Sequence, residues 1–176
     1  STIGESAFSN NDISSLRIPN SVTLIGNSAF YDNNMNSLTF EGDSSLSIIE
    51  NFAFKENDIS SLRIPNSVTS IGISAFEDNS INSLTFDDDN DSSLSIIGGS
   101  AFQNNDISSL RIPNSVTEIR NNAFEDNSIN SLIFDDDSSL STIGNDAFQN
   151  NDISSLTIPN SVTEIGNNAF MDNSIN

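Results

Sequence analysis

The chain has 176 residues, of which 35% are hydrophobic, and its 25 acidic against 5 basic side chains give a formal net charge of −20. The negative charge excludes general binding to nucleic acid or anionic lipid, because Lys and Arg drive such binding by neutralising phosphates. The absence of cysteine excludes disulfides, and no apolar run approaches the roughly 18 to 20 residues that span a bilayer.

A repeated segment organises the whole chain. The string DISSLRIPNSVT begins at Asp12, Asp58 and Asp106 and returns with one change at Asp152, so the starts are separated by 46, 48 and 46 residues. An Ala-Phe pair recurs twice in each of these units, with its Phe at positions 8, 30, 54, 76, 102, 124, 148 and 170. Eight coils of about 23 residues, with Leu and Ile at fixed offsets, are the signature of a solenoid.

The first predicted element of each coil is a short strand. Residues Ser15 to Ile18 alternate polar and apolar, and equivalent segments recur at Ser37 to Phe40, Ser61 to Ile64 and Ser83 to Phe86. This alternation predicts half-buried strands that stack as one parallel sheet. Proline follows alternate strands, where its fixed φ and missing N–H suit a turn that leaves the sheet. These prolines are Pro19, Pro65, Pro113 and Pro159.

Two further columns follow in every coil. The Phe of each Ala-Phe pair is predicted to form a stack of core aromatics, with an exposed aromatic binding stripe as the alternative. An asparagine stands three residues after each Phe, at Asn11, Asn33, Asn57, Asn79, Asn105, Asn127, Asn151 and Asn173. We interpret this column as a buried ladder that satisfies turn N–H and C=O groups of its own and adjacent coils. An exposed row of ligand-binding amides is the alternative.

These elements predict one continuous leucine-rich-repeat solenoid over residues 1–176. We expect a right-handed, parallel β-rich fold with short helical or 3₁₀ turns around Ala-Phe. The first and last residues fall in the middle of a coil and neither end carries a cap. Because solenoids need covered terminal coils, we expect either an excerpt of a longer array or end-to-end association of chains.

The run IPNSVTSIGISAFEDNSINSL, from Ile64 to Leu84, resembles the BspA-like class of leucine-rich repeats. This resemblance extends over essentially the whole chain and implies a secreted or cell-surface protein that adheres to proteins or glycans. Two departures from the class pattern are present. Asparagine replaces the usual cysteine in every coil, and an acidic loop replaces IPNS in every second coil.

Catalysis has few side chains to use. Histidine, cysteine and tryptophan are absent, and Lys55 and Tyr31 are the only residues of their types, so most nucleophile–base pairs cannot be assembled. Carboxylates are abundant, but they lie in repeated loops, whereas an active site normally breaks a repeat locally. We therefore predict a protein that is not an enzyme.

Acidic loops follow every second strand and form the first candidate site. Oxygen ligands at close spacing suit Ca²⁺, although neither the EF-hand loop nor the glycine-rich nonapeptide is present. The alternative is a set of solvated loops that maintain solubility. The candidate calcium ligands are Asp43, Asp87, Asp88, Asp89, Asp91, Asp135, Asp136 and Asp137.

The outward face of the sheet is the second candidate site. The residue between the two inward positions of each strand forms a stripe of Arg17, Thr39, Arg63, Thr85, Arg111, Ile133 and Thr157. Arginines about 10 Å apart among hydroxyls could hold carboxylates or sulfates of a protein or glycan partner. The alternatives are a solubilising strand face and an ice-binding ladder of hydroxyls, whose regularity the arginines disrupt.

The true period of the sequence is two coils. This doubling is expected to place the arginines and the acidic loops in separate rows, one on the sheet and one on an edge. We predict an extracellular binding or adhesion surface for protein or glycan partners that acts through these rows. A structural extracellular filament or rigid spacer is the alternative.

Overall fold

The computed structural model describes residues 1–87, 91–135 and 137–176, which form a parallel β-solenoid. The described coils contain strands of two lengths. The longer strands are β2 (Ser15–Ile18), β4 (Ser37–Phe40), β6 (Ser61–Ile64), β8 (Ser83–Phe86), β10 (Ser109–Ile112) and β12 (Ser131–Phe134). The two-residue strands are β1 (Thr2–Ile3), β3 (Leu24–Ile25), β5 (Ile48–Ile49), β7 (Ser70–Ile71), β9 (Ile96–Ile97), β11 (Glu118–Ile119), β13 (Thr142–Ile143) and β14 (Glu164–Ile165).

The two sets of strands pair differently. The short strands form one continuous parallel sheet in the order β1-β3-β5-β7-β9-β11-β13-β14. The long strands were predicted to form one continuous sheet as well, but they form three separate pairs, β2 with β4, β6 with β8 and β10 with β12. Paired strands start 22 residues apart, whereas the unpaired neighbours β4 and β6, and β8 and β10, start 24 and 26 residues apart. The sheet is therefore interrupted wherever a coil carries the acidic insertion.

Phenylalanine rings form the central column of the core. Neighbouring rings stack nearly parallel along the solenoid, with centroids 5.2 to 5.3 Å apart. The six inner rings are fully buried, while Phe8 in the first coil is 45% exposed. The prediction of a core column is confirmed, and the alternative of an exposed aromatic stripe is wrong.

An asparagine ladder runs beside the aromatic column. The Nδ2 of Asn105 donates to the carbonyl oxygens of Phe102, Gln103 and, in the preceding coil, Phe76 at 2.9 to 3.2 Å. Its Oδ1 accepts a hydrogen bond from the Ile81 N–H at 3.0 Å. The same four contacts recur at Asn33, Asn57, Asn79, Asn127, Asn151 and Asn173.

The first member of the column, Asn11, is exposed and donates to the Ser9 carbonyl. From the second coil onward, each amide closes a bend of its own coil and joins that coil to the preceding one.

Hydrogen-bonded turns occupy the segment around each Ala-Phe pair. The i→i+3 bonds expected of 3₁₀ turns are present, for example from the Ala29 N–H to the Gly26 carbonyl and from the Tyr31 N–H to the Ser28 carbonyl. These bonds do not continue into a helix, because Ser28 and Asp32 have φ values of 54° and 53°, and left-handed residues interrupt a right-handed helix. Among the described residues, none forms a helix long and apolar enough to cross a bilayer.

Candidate binding face of the long strands

The predicted stripe lies on the solvent side of the long strands, hereafter the sheet face. The first and third residues of β2, β6 and β10 are exposed, and the residues between them are buried or partly buried. Arg17 lies opposite Thr39, and Arg63 lies opposite Thr85. Arg111 lies opposite the exposed Ile133. Thr157 is also exposed, but segment 155–158 is not paired as a strand.

Ion pairs join the stripe to the acidic loops. Arg17 Nε lies 3.3 Å from Glu41 Oε1, and Arg63 and Arg111 pair with the equivalent acids Asp87 and Asp135. Each pair links the first strand of a two-strand sheet to the residue that follows the second strand. The prediction that arginines and acidic loops form separate rows is therefore wrong, because strand pairing brings the guanidinium beside the start of the loop.

The predicted calcium ligands do not converge in the described part of the chain. Asp87 and Asp135 pair with arginines, and Asp91 and Asp137 are exposed. Asp43 has a φ of 54°. Among the described residues, no three acidic side chains lie close enough together to hold a metal ion. Three of the predicted ligands, Asp88, Asp89 and Asp136, lie outside the described residues.

Two grooves cross the sheet face where neighbouring long strands are unpaired. The first lies between β4 and β6, has a volume of about 730 Å³ and is lined by Ser37, Phe40, Asp43 and Arg63, among others. The second lies between β8 and β10, has a volume of about 420 Å³ and includes Ser83 and Arg111. The sequence analysis did not predict these grooves. The longer spacing between every second pair of strands is the signal that could have revealed them.

A cluster of repeat-breaking residues lies away from the sheet face, on the turns around Ala-Phe. Phe52 is exposed and has a φ of 58°, at a position where the other seven coils have Ser, Asn or Asp. Ile73 in the next coil is 46% exposed, and its carbonyl accepts a hydrogen bond from the Phe52 N–H. Tyr31 lines the same small surface pocket as Phe52. Comparison of equivalent positions between coils could have identified these residues.

Charged groups surround this cluster. Lys55 Nζ lies 2.9 Å from Glu77 Oε1 and 3.5 Å from Asp78 Oδ2. Partial burial acts to lower the pKa of Lys55, but the hydrogen bond and charge of Glu77, together with Asp78, outweigh this effect and raise it. The hydrogen bond between Tyr31 and the Glu56 carboxylate raises the pKa of the Tyr31 phenol. Lys55 therefore remains protonated and is engaged by acids of the next coil.

Phe52→Asn is expected to increase the free energy of unfolding by about 1 kcal/mol. The left-handed region costs a bulky L-residue about 1 to 2 kcal/mol, and asparagine adopts it more readily. Asn122 and Asn168 occupy the equivalent site with φ values of 62° and 56°. Urea unfolding measures the change, and Ile48→Asn, which removes an exposed apolar side chain outside the positive-φ sites, is the control. An equal gain in both variants would show that backbone strain is not the cause.

The parallel strands, buried Leu and Ile columns and asparagine ladder define a leucine-rich-repeat solenoid. The family model described as "BspA type Leucine rich repeat region" matches residues 1–92 and 47–176 in six copies. The chain therefore belongs to the BspA-type leucine-rich-repeat family, as the resemblance in its sequence predicted. No curated protein matches the chain.

Solved bacterial structures share this fold. The pneumococcal vaccine antigen PcpA is 22% identical with a TM-score of 0.77, and the similarity covers 97% of this chain and 53% of PcpA. A leucine-rich repeat protein from Bacteroides ovatus is 24% identical with a TM-score of 0.61, covering 94% of this chain and 48% of that protein. A leucine rich cell surface protein from Faecalibacterium prausnitzii is 22% identical with a TM-score of 0.57, covering 99% and 63%. The chain thus spans between about half and two thirds of the length of these structures.

Proposed function

We propose that this solenoid is a non-enzymatic binding module displayed outside the cell, and that it contacts protein or glycan partners through its sheet face. The observation that carries this proposal is the row of exposed hydroxyl and guanidinium side chains held at coil spacing on a rigid surface. An extended solenoid face of this kind is the usual docking surface of repeat proteins. Family membership and the similarity to a protein described as a cell surface protein support the extracellular location.

The ion pairs on this face leave the arginines available to a partner. The Arg17 and Arg63 side chains are 71% and 73% exposed, and that of Arg111 is 44% exposed. Exposed ion pairs contribute only about 0 to 1 kcal/mol, because water and salt screen them. A carboxylate of a protein or glycan partner can therefore replace Glu41, Asp87 or Asp135 as the arginine's partner at little cost.

Simultaneous replacement of Arg17, Arg63 and Arg111 by serine tests the proposal. The purified chain is immobilised and screened against extracellular-matrix proteins and a glycan array, and the variant is compared on each partner found. We expect at least tenfold weaker binding, since each bidentate guanidinium contact is lost. Arg120→Ser is the matched control, because Arg120 follows a strand of the other sheet and pairs with Glu118. Unchanged binding by the triple variant would rule out the arginine stripe as the site.

A structural role as a filament or rigid spacer is the second candidate. The continuous phenylalanine stack favours this role, because its uniform spacing of 5.2 to 5.3 Å continues across the points where the long-strand sheet is interrupted. A spacer would bind none of the screened partners and would form end-to-end assemblies visible by electron microscopy. Monomeric behaviour at high concentration, together with arginine-dependent binding, would exclude it.

Calcium binding by the acidic loops stays a prediction. An ion that binds only the folded chain raises Tm by mass action, so we expect a higher Tm in millimolar Ca²⁺ than in chelator. Mg²⁺ at equal concentration is the control for charge screening, because it accepts less flexible geometry than Ca²⁺. The same Tm in Ca²⁺ and in Mg²⁺ would mean that the loops act only as solvated acids.

A further inference from the structure

The two grooves of the sheet face expose strand edges that face each other. No backbone hydrogen bond joins β4 to β6 or β8 to β10, strands whose residues are all described, although their Cα atoms approach within 8 Å. Each groove therefore presents unpaired backbone N–H and C=O groups from both sides. Such edges require partners from outside the sheet. Exposed serine hydroxyls add further donors and acceptors, from Ser37 and Ser61 in the first groove and Ser83 in the second.

The width of the grooves excludes an inserted peptide strand. A strand hydrogen-bonded on both sides needs its two neighbours roughly 10 Å apart, twice the usual strand spacing. The approach of the flanking strands within 8 Å is too close for this. Water or small hydroxyl groups can instead enter and bond to both edges.

The charge of the grooves selects against anionic ligands. In the first groove, Glu41, Asp43 and Asp87 outnumber the single cation Arg63, and Asp87 is already paired with it. A polyanion such as a sulfated glycan would meet net repulsion from these carboxylates and from the charge of −20 on the whole chain. The chemistry that remains is a neutral ligand with many hydroxyl groups.

The spacing of the grooves adds a geometric requirement. The grooves recur once per two coils, and the stacked phenylalanines give an axial rise of 5.2 to 5.3 Å per coil. A ligand that reaches both grooves must therefore repeat its hydroxyl pattern about every 10 Å along the solenoid axis. An extended β-1,4-linked polysaccharide does this, because successive sugars are rotated by half a turn and the pattern repeats every second sugar.

We propose that the grooves bind a neutral, extended β-1,4-linked glycan that runs along the solenoid axis. Every second sugar places hydroxyl groups into a groove, where the free edges of β4 and β6, or of β8 and β10, bind them. This inference rests on the proposed function of the sheet face and specifies its ligand. It assigns recognition to the grooves, with the arginine stripe as their border.

Isothermal titration with hexasaccharides tests the ligand. Cellohexaose and chitohexaose are the β-1,4-linked probes, and maltohexaose, which has the same glucose units as cellohexaose in a curved α-1,4-linked chain, is the control. We expect at least one β-1,4-linked hexasaccharide to bind at least tenfold more tightly than maltohexaose and than its own disaccharide, which reaches only one groove. No detectable binding of either at millimolar concentration, or equal binding of maltohexaose, would overturn the proposal.

Groove-filling variants test the site. Ser37→Phe and Ser83→Phe, combined in one chain, replace exposed serines that line the two grooves. Ser15→Phe changes the equivalent exposed serine of β2, which lines neither groove, and controls for the added aromatic ring. With unchanged thermal unfolding, we expect the double variant to lose at least tenfold in affinity and the control to lose none. Equal affinity of both variants would overturn the groove assignment.

The outcomes separate this inference from the function on which it rests. If the hexasaccharides fail while another partner from the screen binds in an arginine-dependent way, only the glycan inference is wrong. If no partner binds the sheet face at all, the proposed function fails with it.

Discussion

Phe102→Ala is expected to lower the free energy of unfolding by about 3 to 5 kcal/mol, the usual cost of removing a buried aromatic side chain. Phe102 is fully buried and stacks on Phe76 and Phe124, with both centroid distances at 5.3 Å. The substitution leaves a cavity on the solenoid axis. The surrounding coils cannot close it, because their backbones are hydrogen-bonded at a fixed spacing on either side.

The position of Phe102 in the middle of the array adds to this cost. Each coil of a solenoid contacts only its neighbours, so stability depends on every interface between adjacent coils. A weakened interface in the fifth coil separates the array into two shorter blocks that unfold with less cooperativity. We therefore expect a shallower urea transition as well as a lower midpoint.

Urea unfolding followed by circular dichroism measures both quantities, and Phe8→Ala is the matched control. Phe8 occupies the same column but is 45% exposed and stacks on one neighbour only. We expect its loss to cost about 1 kcal/mol, in proportion to the smaller area that it buries. Similar losses at both positions would mean that the aromatic stack does not support the centre of the array.

The sequence predicts the core well because the repeat fixes which residues point inward. A residue that recurs at one offset in eight coils, such as the Phe of Ala-Phe, must occupy equivalent environments, and burial is the environment that an apolar column requires. The same reasoning applies to the asparagine column. An amide that recurs beside a buried aromatic column must satisfy its four hydrogen-bonding groups internally.

The sheet face was predicted less well because a repeat does not fix the distance between neighbouring strands. Burial alternates identically in β6 and β8, whether or not each strand is hydrogen-bonded to the next one. The ion pair between Arg17 and Glu41 depends on this pairing, since it joins residues of two coils. Loop length controls both features, and the periodic pattern of side chains carries no information about them.

A second, shorter amide ladder was also missed. The Oδ1 atoms of Asn51, Asn121 and Asn145 accept hydrogen bonds from backbone N–H groups one coil further along, at 2.7 to 2.9 Å. Because Glu5, Ile73 and Gly99 occupy the same position in other coils, this column does not stand out as a repeat. Its members are recognised only when the backbone positions are known.

Asn105→Ala is expected to destabilise the chain by about 3 to 5 kcal/mol. The substitution leaves the Ile81 N–H without its acceptor, and the carbonyl oxygens of Phe76, Phe102 and Gln103 lose a donor. Each buried polar group left without a partner costs about 1 to 3 kcal/mol. Asn11→Ala is the matched control, because Asn11 is exposed and bonds only within its own coil, and we expect a loss of about 0.5 kcal/mol there.

Asn105→Asp distinguishes lost hydrogen bonds from lost volume, because the carboxyl group has nearly the same shape as the amide. At neutral pH the carboxylate is buried against three carbonyl oxygens and has no N–H to donate, so its folded-state pKa is raised above the unfolded value of about 3.9. Below that unfolded pKa both states are protonated, and the loss relative to the parent chain is smallest. As the pH rises above about 4, the unfolded state ionises first, and the loss grows by about 1.4 kcal/mol per pH unit until the folded-state pKa is reached. Unfolding both chains between pH 3.5 and 7 measures this difference, and a loss independent of pH would show that the amide N–H groups do not hold the ladder together.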